Sequence, residues 1–309
     1  MKITHGIEQI KFAKLTATTL GSYDGLHLGH RDILQTLINR KTDSGYSRSV
    51  VVTFDPHPQE ILRKNNTDIQ LLTTIEERLE LFASAGIDET VIIAFTKEFS
   101  ETTYRDFFNN ILVDKLGTRE MIVGHDHAFG KNREGDIAHL KILAAEREVA
   151  VTEVPPHRIA NETISSTKIR HYLLGGDIQI ANSYLGRKYS LTGVVVSGDK
   201  LGRTLGFPTA NVKIPANKLI PKDGIYAGIA SHQTNDYLAA ISIGTRPTVT
   251  ESPNRIIEAA LLDFSGDLYD EQIRLSLSDY LRDQIKFASL EELKGQIEQD
   301  IELVKELSE

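Results

Sequence analysis

Several kinds of residue and segment are missing from this chain, and each absence narrows what it can be. It contains no cysteine, which excludes disulfides, thiolate metal sites and a cysteine nucleophile. No apolar run approaches the ~20 residues that a membrane-spanning helix needs, and the N-terminal segment lacks the apolar core of a signal peptide. The net charge is −8 with no long basic run, which argues against a nucleic-acid coat or a binder of anionic membranes. We therefore expect a soluble, cytoplasmic protein that takes up phosphates only at local sites.

The chain is long enough for two domains, since its 309 residues exceed what one small core needs. The first half alternates short apolar runs with helical patterns. Strands are predicted at residues 15–20, 49–54, 90–95, 120–123 and 149–154. Helices are predicted at residues 31–41, 75–84, 103–116 and 137–147, the second of them opened by a capping box at residues 74–77. This alternation predicts a parallel sheet covered by helices, with ligands at the carboxyl ends of the strands.

The second half has a different pattern, with short strands separated by turn-rich segments. The predicted strands are residues 191–197, 225–231, 237–243, 256–264 and 272–277. Their even spacing favours a small antiparallel barrel or sandwich. A capping box at residues 289–292 then opens an amphipathic helix that runs to about residue 307. We place the domain boundary between residues 175 and 190, which gives domains over residues 1–184 and 185–309.

Two histidines mark the most informative segment, residues 21–30, which reads GSYDGLHLGH. His27 and His30 stand three residues apart where an apolar run gives way to a helical pattern, so they share one face of a helix. The first turn of a helix offers free N–H groups and a positive dipole end, and imidazoles beside it suit a nucleoside triphosphate. The spacing alone also fits an ordinary surface or core pair. A metal site is disfavoured because Mg²⁺ prefers oxygen ligands.

Two further segments of the first half fit a nucleotide site. Residues 123–135 (VGHDHAFGKNREG) hold three glycines after an apolar run, as a loop over a ligand would, although ordinary turns give the same pattern. Residues 164–170 (ISSTKIR) offer hydroxyls that can cap a helix, and Arg170 supplies a fork for phosphate oxygens. Taken alone, this segment is more simply a plain N-cap with a surface arginine. The histidines, Asp55 and the loop at residues 124–130 all follow predicted strand ends, so we expect them to converge.

The most informative run of the second half is residues 193–211, GVVVSGDKLGRTLGFPTAN. It turns through three glycines and then presents Thr209 and Asn211 on either side of an alanine. It matches neither the Walker A pattern nor a GxGxxG fingerprint. A hydroxyl and an amide oxygen are suitable ligands for Mg²⁺ beside ATP. On spacing alone, a glycine-rich hairpin of a barrel is the simpler interpretation.

Together, the motifs of the first half resemble a known family. Residues 21–30 resemble the G-x-F-D-G-x-H-x-G-H signature of nucleotidylyltransferases. With residues 54–58, 124–130 and 165–170, they resemble the adenylyltransferase module of bacterial bifunctional riboflavin kinase/FAD synthetases. The resemblance implies a Rossmann-like nucleotidylyltransferase domain. The residues it implies for ATP are Gly21, Asp24 (which shapes the loop), His27, Gly29, His30, Ser166, Thr167 and Arg170, with His27, His30 and Arg170 as catalytic residues. Those it implies for the nucleotide or flavin pocket are Phe54, Pro56, Pro58 and Asp126. The chain departs from the pattern at Ser22, Tyr23 and His127.

The second half extends the resemblance. Residues 193–211 resemble the G-R-x-L-G-F-P-T-A-N signature of riboflavin kinases, and residues 224–227, 244–248, 255–264 and 280–287 continue the match. The resemblance implies a riboflavin kinase-like barrel in which Glu258 is the catalytic base for the ribityl 5′-hydroxyl. It places Mg²⁺ and ATP phosphates at Thr209 and Asn211. The other positions it implies are Gly202 and Gly206 for phosphate and Arg282 for the flavin side. Ala260 stands where the family often has histidine.

The resemblance implies an enzyme that makes FMN from riboflavin and ATP, then FAD from FMN and ATP, with Mg²⁺ in both steps. Its expected partners are these small molecules, without nucleic acid or membrane, and oligomerisation stays open. One alternative is an FMN adenylyltransferase whose kinase-like half has reduced or no activity, for which Ala260 is the only support. Another is a non-catalytic flavin sensor, which would have no need for the histidine pair, Thr209, Asn211 and Glu258 together.

Overall fold

The computed structural model describes residues 1–62, 69–198, 207–245 and 255–308. The chain divides into two compact units, an N-terminal unit (Met1–Ser166) and a C-terminal unit (Thr167–Glu309). No helix in the described ranges has the length and apolar character to cross a membrane.

The N-terminal unit alternates strands and helices, as predicted. Its strands are β1 (Lys2–His5), β2 (Thr16–Leu20), β3 (Arg48–Phe54), β4 (Glu89–Ile93), β5 (Thr118–Gly124), β6 (Ala128–Phe129), β7 (Gly135–Asp136), β8 (Ala150–Val154), β9 (Arg158–Ile159) and β10 (Glu162–Thr163). Its helices are α1 (Leu28–Asp43), α2 (Pro58–Leu62), α3 (Ile75–Ser84), α4 (Tyr104–Asp106), a π-helical segment (Phe107–Lys115) and α5 (Ile137–Glu146). Short 3₁₀ turns lie at Ile7–Gln9, Phe99–Glu101 and Lys131–Arg133.

Six of these strands form one parallel sheet in the order β1-β4-β3-β2-β5-β8. The strand order reverses between β2 and β5, so the loops that follow these two strands flank the crevice where such sheets bind ligands. Successive side chains of β3 point to opposite faces of the sheet and pack into two different hydrophobic clusters. Val50 and Val52 pack with the π-helical segment and α5, whereas Val51 packs with α1 and α3. The predicted α/β architecture is thus confirmed.

Local signals explain where some elements begin. Helix α3 spans the predicted residues 75–84, and its capping box is complete: Thr74 Oγ1 accepts from the Glu77 amide, and the Glu77 carboxylate accepts from the Thr74 amide. Strand β1 was not predicted because its sequence, KITH, is mostly polar and exposed. The helix predicted over residues 103–116 is divided into α4 and a π-helical segment, whose wider turns still bury Phe108 and Leu112.

The C-terminal unit is a closed antiparallel barrel with the strand order β11-β12-β15-β14-β13-β16. Its strands are β11 (Tyr189–Val196), β12 (Thr209–Lys213), β13 (Gly224–His232), β14 (Asn235–Thr245), β15 (Arg255–Leu261) and β16 (Gln272–Arg282). Its helices are α6 (Ser166–Gly175), α7 (Ile178–Leu185) and α8 (Leu290–Glu306). The barrel and the terminal helix were predicted; β12 was not, because its five residues follow a proline and alternate weakly.

Helix α7 is tied to the barrel by one asparagine. Its Asn182 donates to the Leu277 carbonyl at 2.9 Å and accepts from the Tyr189 amide at 2.6 Å. These bonds join the helix to β16 and β11 and place it in the same compact unit as the barrel. The division after residue 184 stays a prediction.

Candidate functional site

The loop after β2 is built around a buried aspartate. The Asp24 carboxylate accepts from the backbone amides of Leu72 and Thr73 at 3.1 and 3.0 Å. Gly25 has a φ of +82°, and a Cβ there would lie 2.7 Å from Leu72 Cδ1, so only glycine fits this turn. The Asp24 carboxylate therefore links the loop after β2 to the segment before α3, and its assignment to the ATP site stays a prediction.

The two predicted histidines stack on each other at the start of α1. Their ring centroids are 3.6 Å apart and their planes differ by 15°. His27 is the N-cap of the helix, and its Nδ1 accepts from the His30 amide at 3.3 Å. A nitrogen that accepts this bond carries no proton, so the neutral ring presents Nε2–H as a donor. A Cβ on Gly29 would meet His27 Cε1 at 3.3 Å, so this glycine lets the ring lie flat against the helix.

A cavity of about 390 Å³ adjoins this pair at the carboxyl ends of β2, β3 and β5. Five predicted site residues line it: Gly21, His30, Phe54, Pro58 and Asp126. Pro56, joined to Asp55 by a cis peptide bond, precedes the stretch of α2 that also borders the cavity. Three phenylalanines cluster on one wall, with ring centroids 5.4 to 6.1 Å apart: Phe54, Phe95 and Phe99. Phe95 meets the other two rings edge to face. An apolar cavity with a few polar groups suits a flat, mostly apolar ring.

His127 lines the same cavity from the loop after β5. Its Nε2 is buried and has no hydrogen-bond partner among the described residues. Burial lowers the pKa of His127 to about 4, the Asp126 carboxylate acts in the opposite direction and Arg133 lowers the pKa further. The imidazole is therefore neutral near pH 7. Its ring centroid lies 5.5 Å from that of Phe129. It stands where the family commonly has an aromatic side chain, and its neutral form preserves the apolar character of the wall.

The serine-threonine segment is divided between the two compact units. Ser166 Oγ donates to the Asp24 carbonyl at 2.8 Å, which ties this segment to the loop after β2. Thr167 is exposed and Arg170 is half-buried on α6. Their assignment to ATP phosphates stays a prediction.

Sequence reasoning missed a fully buried arginine beneath the cavity. Arg78 Nη1 donates to the Ser22 carbonyl at 2.7 Å and reaches the Phe54 carbonyl at 3.5 Å, so it links the loops after β2 and β3. Burial lowers the pKa of this guanidinium, and nearby carboxylates, led by Asp24, act in the opposite direction. A signal was available: Arg78 occupies the apolar stripe of α3 between Ile75 and Phe82.

The predicted residues of the barrel stand on two neighbouring strands. Asn211 on β12 lies directly opposite Glu258 on β15, and Thr209 lies opposite Ala260. Since side chains alternate along a strand, these four share the outer face, whereas Ala210 and Ala259 point into the core. Ser242 on β14 is the other cross-strand neighbour of Glu258.

The surroundings of Asn211 fit a close-packed polar site. The Gly198 backbone lies close to the Asn211 side chain: a Cβ there would be 2.6 Å from Asn211 Cγ, so a larger residue would require this side chain to move. A cavity of about 430 Å³ beside Thr209 is bordered by Phe264 and Tyr269. The donors on this face are a hydroxyl, an amide oxygen and a carboxylate, the oxygen set that Mg²⁺ prefers. The predicted phosphate residues Gly202 and Gly206 lie outside the described residues.

Arg282 has a structural partner in the barrel unit. Its guanidinium forms a two-pronged bond to the buried carboxylate of Asp300 on α8, at 2.8 and 2.6 Å. This fork ties α8 to the end of β16. A contact with flavin stays a prediction. The described residues contain no group of three or more His, Asp or Glu arranged to hold a metal ion.

Comparisons with known proteins match each half of the chain to a family model. Residues 9–168 match the family model for FAD synthetase, and residues 185–308 match the model for riboflavin kinase. The bifunctional riboflavin kinase/FMN adenylyltransferase of Buchnera aphidicola from Acyrthosiphon pisum is 36% identical, with 99% of this chain and 97% of that protein aligned. The Escherichia coli K12 protein of the same description is 35% identical over 97% and 96%. A crystal structure described as a macrolide-efflux protein from Streptococcus pneumoniae superposes with a TM-score of 0.90 at 27% identity, covering 99% of both chains.

Proposed function

This chain belongs to the family of bifunctional riboflavin kinase/FMN adenylyltransferases, and we propose that it carries out both reactions, each in its own unit. The barrel phosphorylates riboflavin to FMN with ATP. The N-terminal unit then transfers the adenylyl group of a second ATP to FMN, which yields FAD and pyrophosphate. A cytoplasmic location and the absence of nucleic-acid partners stay predictions from composition.

Adenylyl transfer needs positioning more than a protein nucleophile. An FMN phosphate oxygen attacks the α-phosphorus of ATP, and the bond to pyrophosphate breaks. The aromatic cavity holds the flavin ring, and the stacked pair presents His27 Nε2–H beside the first turn of α1. These donors stabilise the charge that grows on the leaving pyrophosphate. Holding both anions in line supplies much of the remaining rate enhancement, since positioning is worth about 7–11 kcal/mol in favourable cases.

Phosphorylation of riboflavin needs a base and a metal site. Glu258 takes the proton of the ribityl 5′-hydroxyl as its oxygen attacks the γ-phosphorus, and ADP leaves. Thr209 and Asn211, on the same face, would supply neutral oxygen ligands for Mg²⁺. When bound, Mg²⁺ neutralises charge on the transferring phosphoryl group. The ladder holds Asn211 and Glu258 in register, so base and ligand keep a fixed separation.

The observation that carries the kinase half of the proposal is this Asn211–Glu258 pairing. A barrel that had lost its activity would be under no requirement to keep both groups opposite each other. Ala260, the departure that favoured the alternative of a decayed kinase, faces Thr209 across the ladder and leaves the base itself unchanged.

Product analysis tests both halves at once. The wild-type chain is incubated with riboflavin, ATP and Mg²⁺, and the flavins and nucleotides are separated by chromatography. We expect FMN and ADP first, then FAD and pyrophosphate. If FMN forms but FAD does not, the proposed adenylyltransferase activity is contradicted. If riboflavin gives no product, while added FMN is still converted to FAD, the proposed kinase activity is contradicted. A flavin sensor would give no product from either substrate.

Crossed variants then separate the two sites. Glu258→Gln should lower FMN formation by about 10²–10⁴-fold, as expected for loss of a general base, and leave FAD formation from FMN intact. The double variant His27→Ala/His30→Ala should do the reverse. Glu302→Gln and His5→Ala/His139→Ala, at exposed positions, are the matched controls. If both active-site variants stay folded and both lose both activities, the proposed division of labour is wrong.

A further inference from the structure

A third histidine lies beside the stacked pair. His157 follows β8, and its Nδ1 is 2.6 Å from the Asp32 carboxylate on α1. The point where a Cβ on Gly29 would lie is 3.6 Å from His157 Cβ and 3.3 Å from the His27 ring. His157 is therefore in the immediate surroundings of the first turn of α1, although its sequence segment is more than a hundred residues away.

The backbone holds His157 in this place. Its carbonyl accepts from the Ile164 amide at 3.1 Å, and the chain between them forms the β9–β10 hairpin. Ile164 is buried and directly precedes the serines of residues 165–166. The same short segment thus fixes His157 and leads into Ser166, which bonds the Asp24 carbonyl.

The contact between His157 and Asp32 offsets the negative charge of Asp32 near an anion site. A carboxylate in the second turn of a phosphate-binding helix repels phosphates unless a cation or donor lies against it. His157 covers Asp32 through Nδ1, which leaves Nε2 as the ring nitrogen that can address a ligand. An imidazole between a carboxylate and a phosphate donates from both nitrogens, and it does so as imidazolium.

We propose that His157 is a further ATP-binding residue of the adenylylation site, held by Asp32 and donating from Nε2 to an oxygen of the triphosphate. The inference rests on the proposed adenylyltransferase function. Asp32 is a positioning residue, since it acts through His157. The side chains are 31% and 42% exposed, so both are accessible to a ligand.

Steady-state kinetics of FAD formation from FMN test this role. His157→Ala should raise the KM for ATP about 10-fold or more, the usual cost of losing a hydrogen bond to a charged group, and leave the KM for FMN unchanged. Inhibition by pyrophosphate should weaken in parallel. His157→Arg, which keeps a cationic donor, should restore part of the ATP affinity, whereas His157→Gln, which cannot become cationic, should restore less. Asp32→Asn should give a smaller rise in the KM for ATP.

Riboflavin phosphorylation in the same preparations is the internal control, and we expect it to be unchanged. An unchanged KM for ATP in His157→Ala overturns the inference. Equal increases in the KM values for ATP and FMN also overturn it, because they indicate a structural role. If His157→Ala does not fold, His157→Gln replaces it, and an unchanged KM for ATP in that variant overturns the inference. These outcomes require a wild-type enzyme that forms FAD; a wild type that forms none contradicts the proposed function instead.

Discussion

The two candidate sites are held in place by different means. In the N-terminal unit, the predicted site residues stand on loops that follow parallel strands or on the first turn of α1, and they are supported by long-range contacts such as that between Asp24 and Leu72. In the barrel, Asn211 and Glu258 stand on the strands themselves and are fixed by the ladder. The comparison teaches that similar phosphate chemistry can depend on supporting side chains in one unit and on backbone register in the other.

Removing a support from beneath the loops should have the largest effect. Arg78→Met leaves the carbonyls of Ser22 and Phe54 without their donor and removes the charge that balances nearby carboxylates. We expect the free energy of unfolding to fall by about 3 kcal/mol. FAD formation should fall with it, whereas FMN formation by the folded protein should persist. Urea unfolding followed by circular dichroism, with both assays, measures this.

Arg105→Met is the matched control for that variant, because Arg105 forms an ion pair with Glu146 in which both side chains are about half exposed. Exposed pairs contribute at most about 1 kcal/mol. If Arg78→Met is no less stable than this control, the loops do not depend on the buried guanidinium, and the contrast between the units is weaker than described.

A change on the ladder should affect chemistry more than stability. Asn211→Ala should lower riboflavin phosphorylation at least about 10-fold by removing a metal ligand, while Asn211→Asp, which keeps an oxygen, should lose less. Raising the Mg²⁺ concentration should restore part of the alanine variant's activity, and adenylylation should be unchanged. Asn235→Ala, exposed at the start of β14, is the control. A loss that Mg²⁺ does not relieve, equal in the alanine and aspartate variants, argues against metal binding.

The smallest effect concerns pH and the wall of the first cavity. The pKa of His127 is lowered to about 4 from 6.5, so below pH 6.5 the unfolded chain takes up a proton that the folded chain does not. Folding stability is therefore lost as the pH falls from 6.5 towards 4. His127→Phe should lose less stability than wild type between pH 7 and 4.5, measured by urea unfolding. The exposed His125→Phe serves as the control, and parallel losses in wild type and His127→Phe would contradict the prediction.

Local patterns were sufficient for much of the fold. The capping box fixed the start of α3, and alternation located most barrel strands to within a few residues. Helical spacing predicted that His27 and His30 lie close together, and their rings stack, although His27 is the N-cap of α1 and lies outside the helix itself. Contacts between distant segments were beyond reach: the Asp24–Leu72 bond spans 48 residues and the His157–Asp32 bond spans 125. Spacing along a chain contains no information on such pairs until the sheet order is known.

The contacts of Arg282 also could not be predicted from the sequence. A resemblance points to a residue's position, whereas its partner depends on this chain's own side chains. Here Asp300, eighteen residues further on, supplies a buried carboxylate that engages the fork. The contact of Arg282 with Asp300 depends on how α8 packs against the barrel. The sequence pattern of β16 contains no information on this packing.

The first strand of the parallel sheet has a consequence of its own. β1 pairs with β4 at the margin of the sheet, and Lys2 of β1 forms an ion pair there with Glu89 of β4. A flat apolar strand in that position would invite other molecules to add strands and aggregate. The polar, exposed residues that concealed β1 from pattern-based prediction are thus also residues that disfavour the addition of a further strand at this edge.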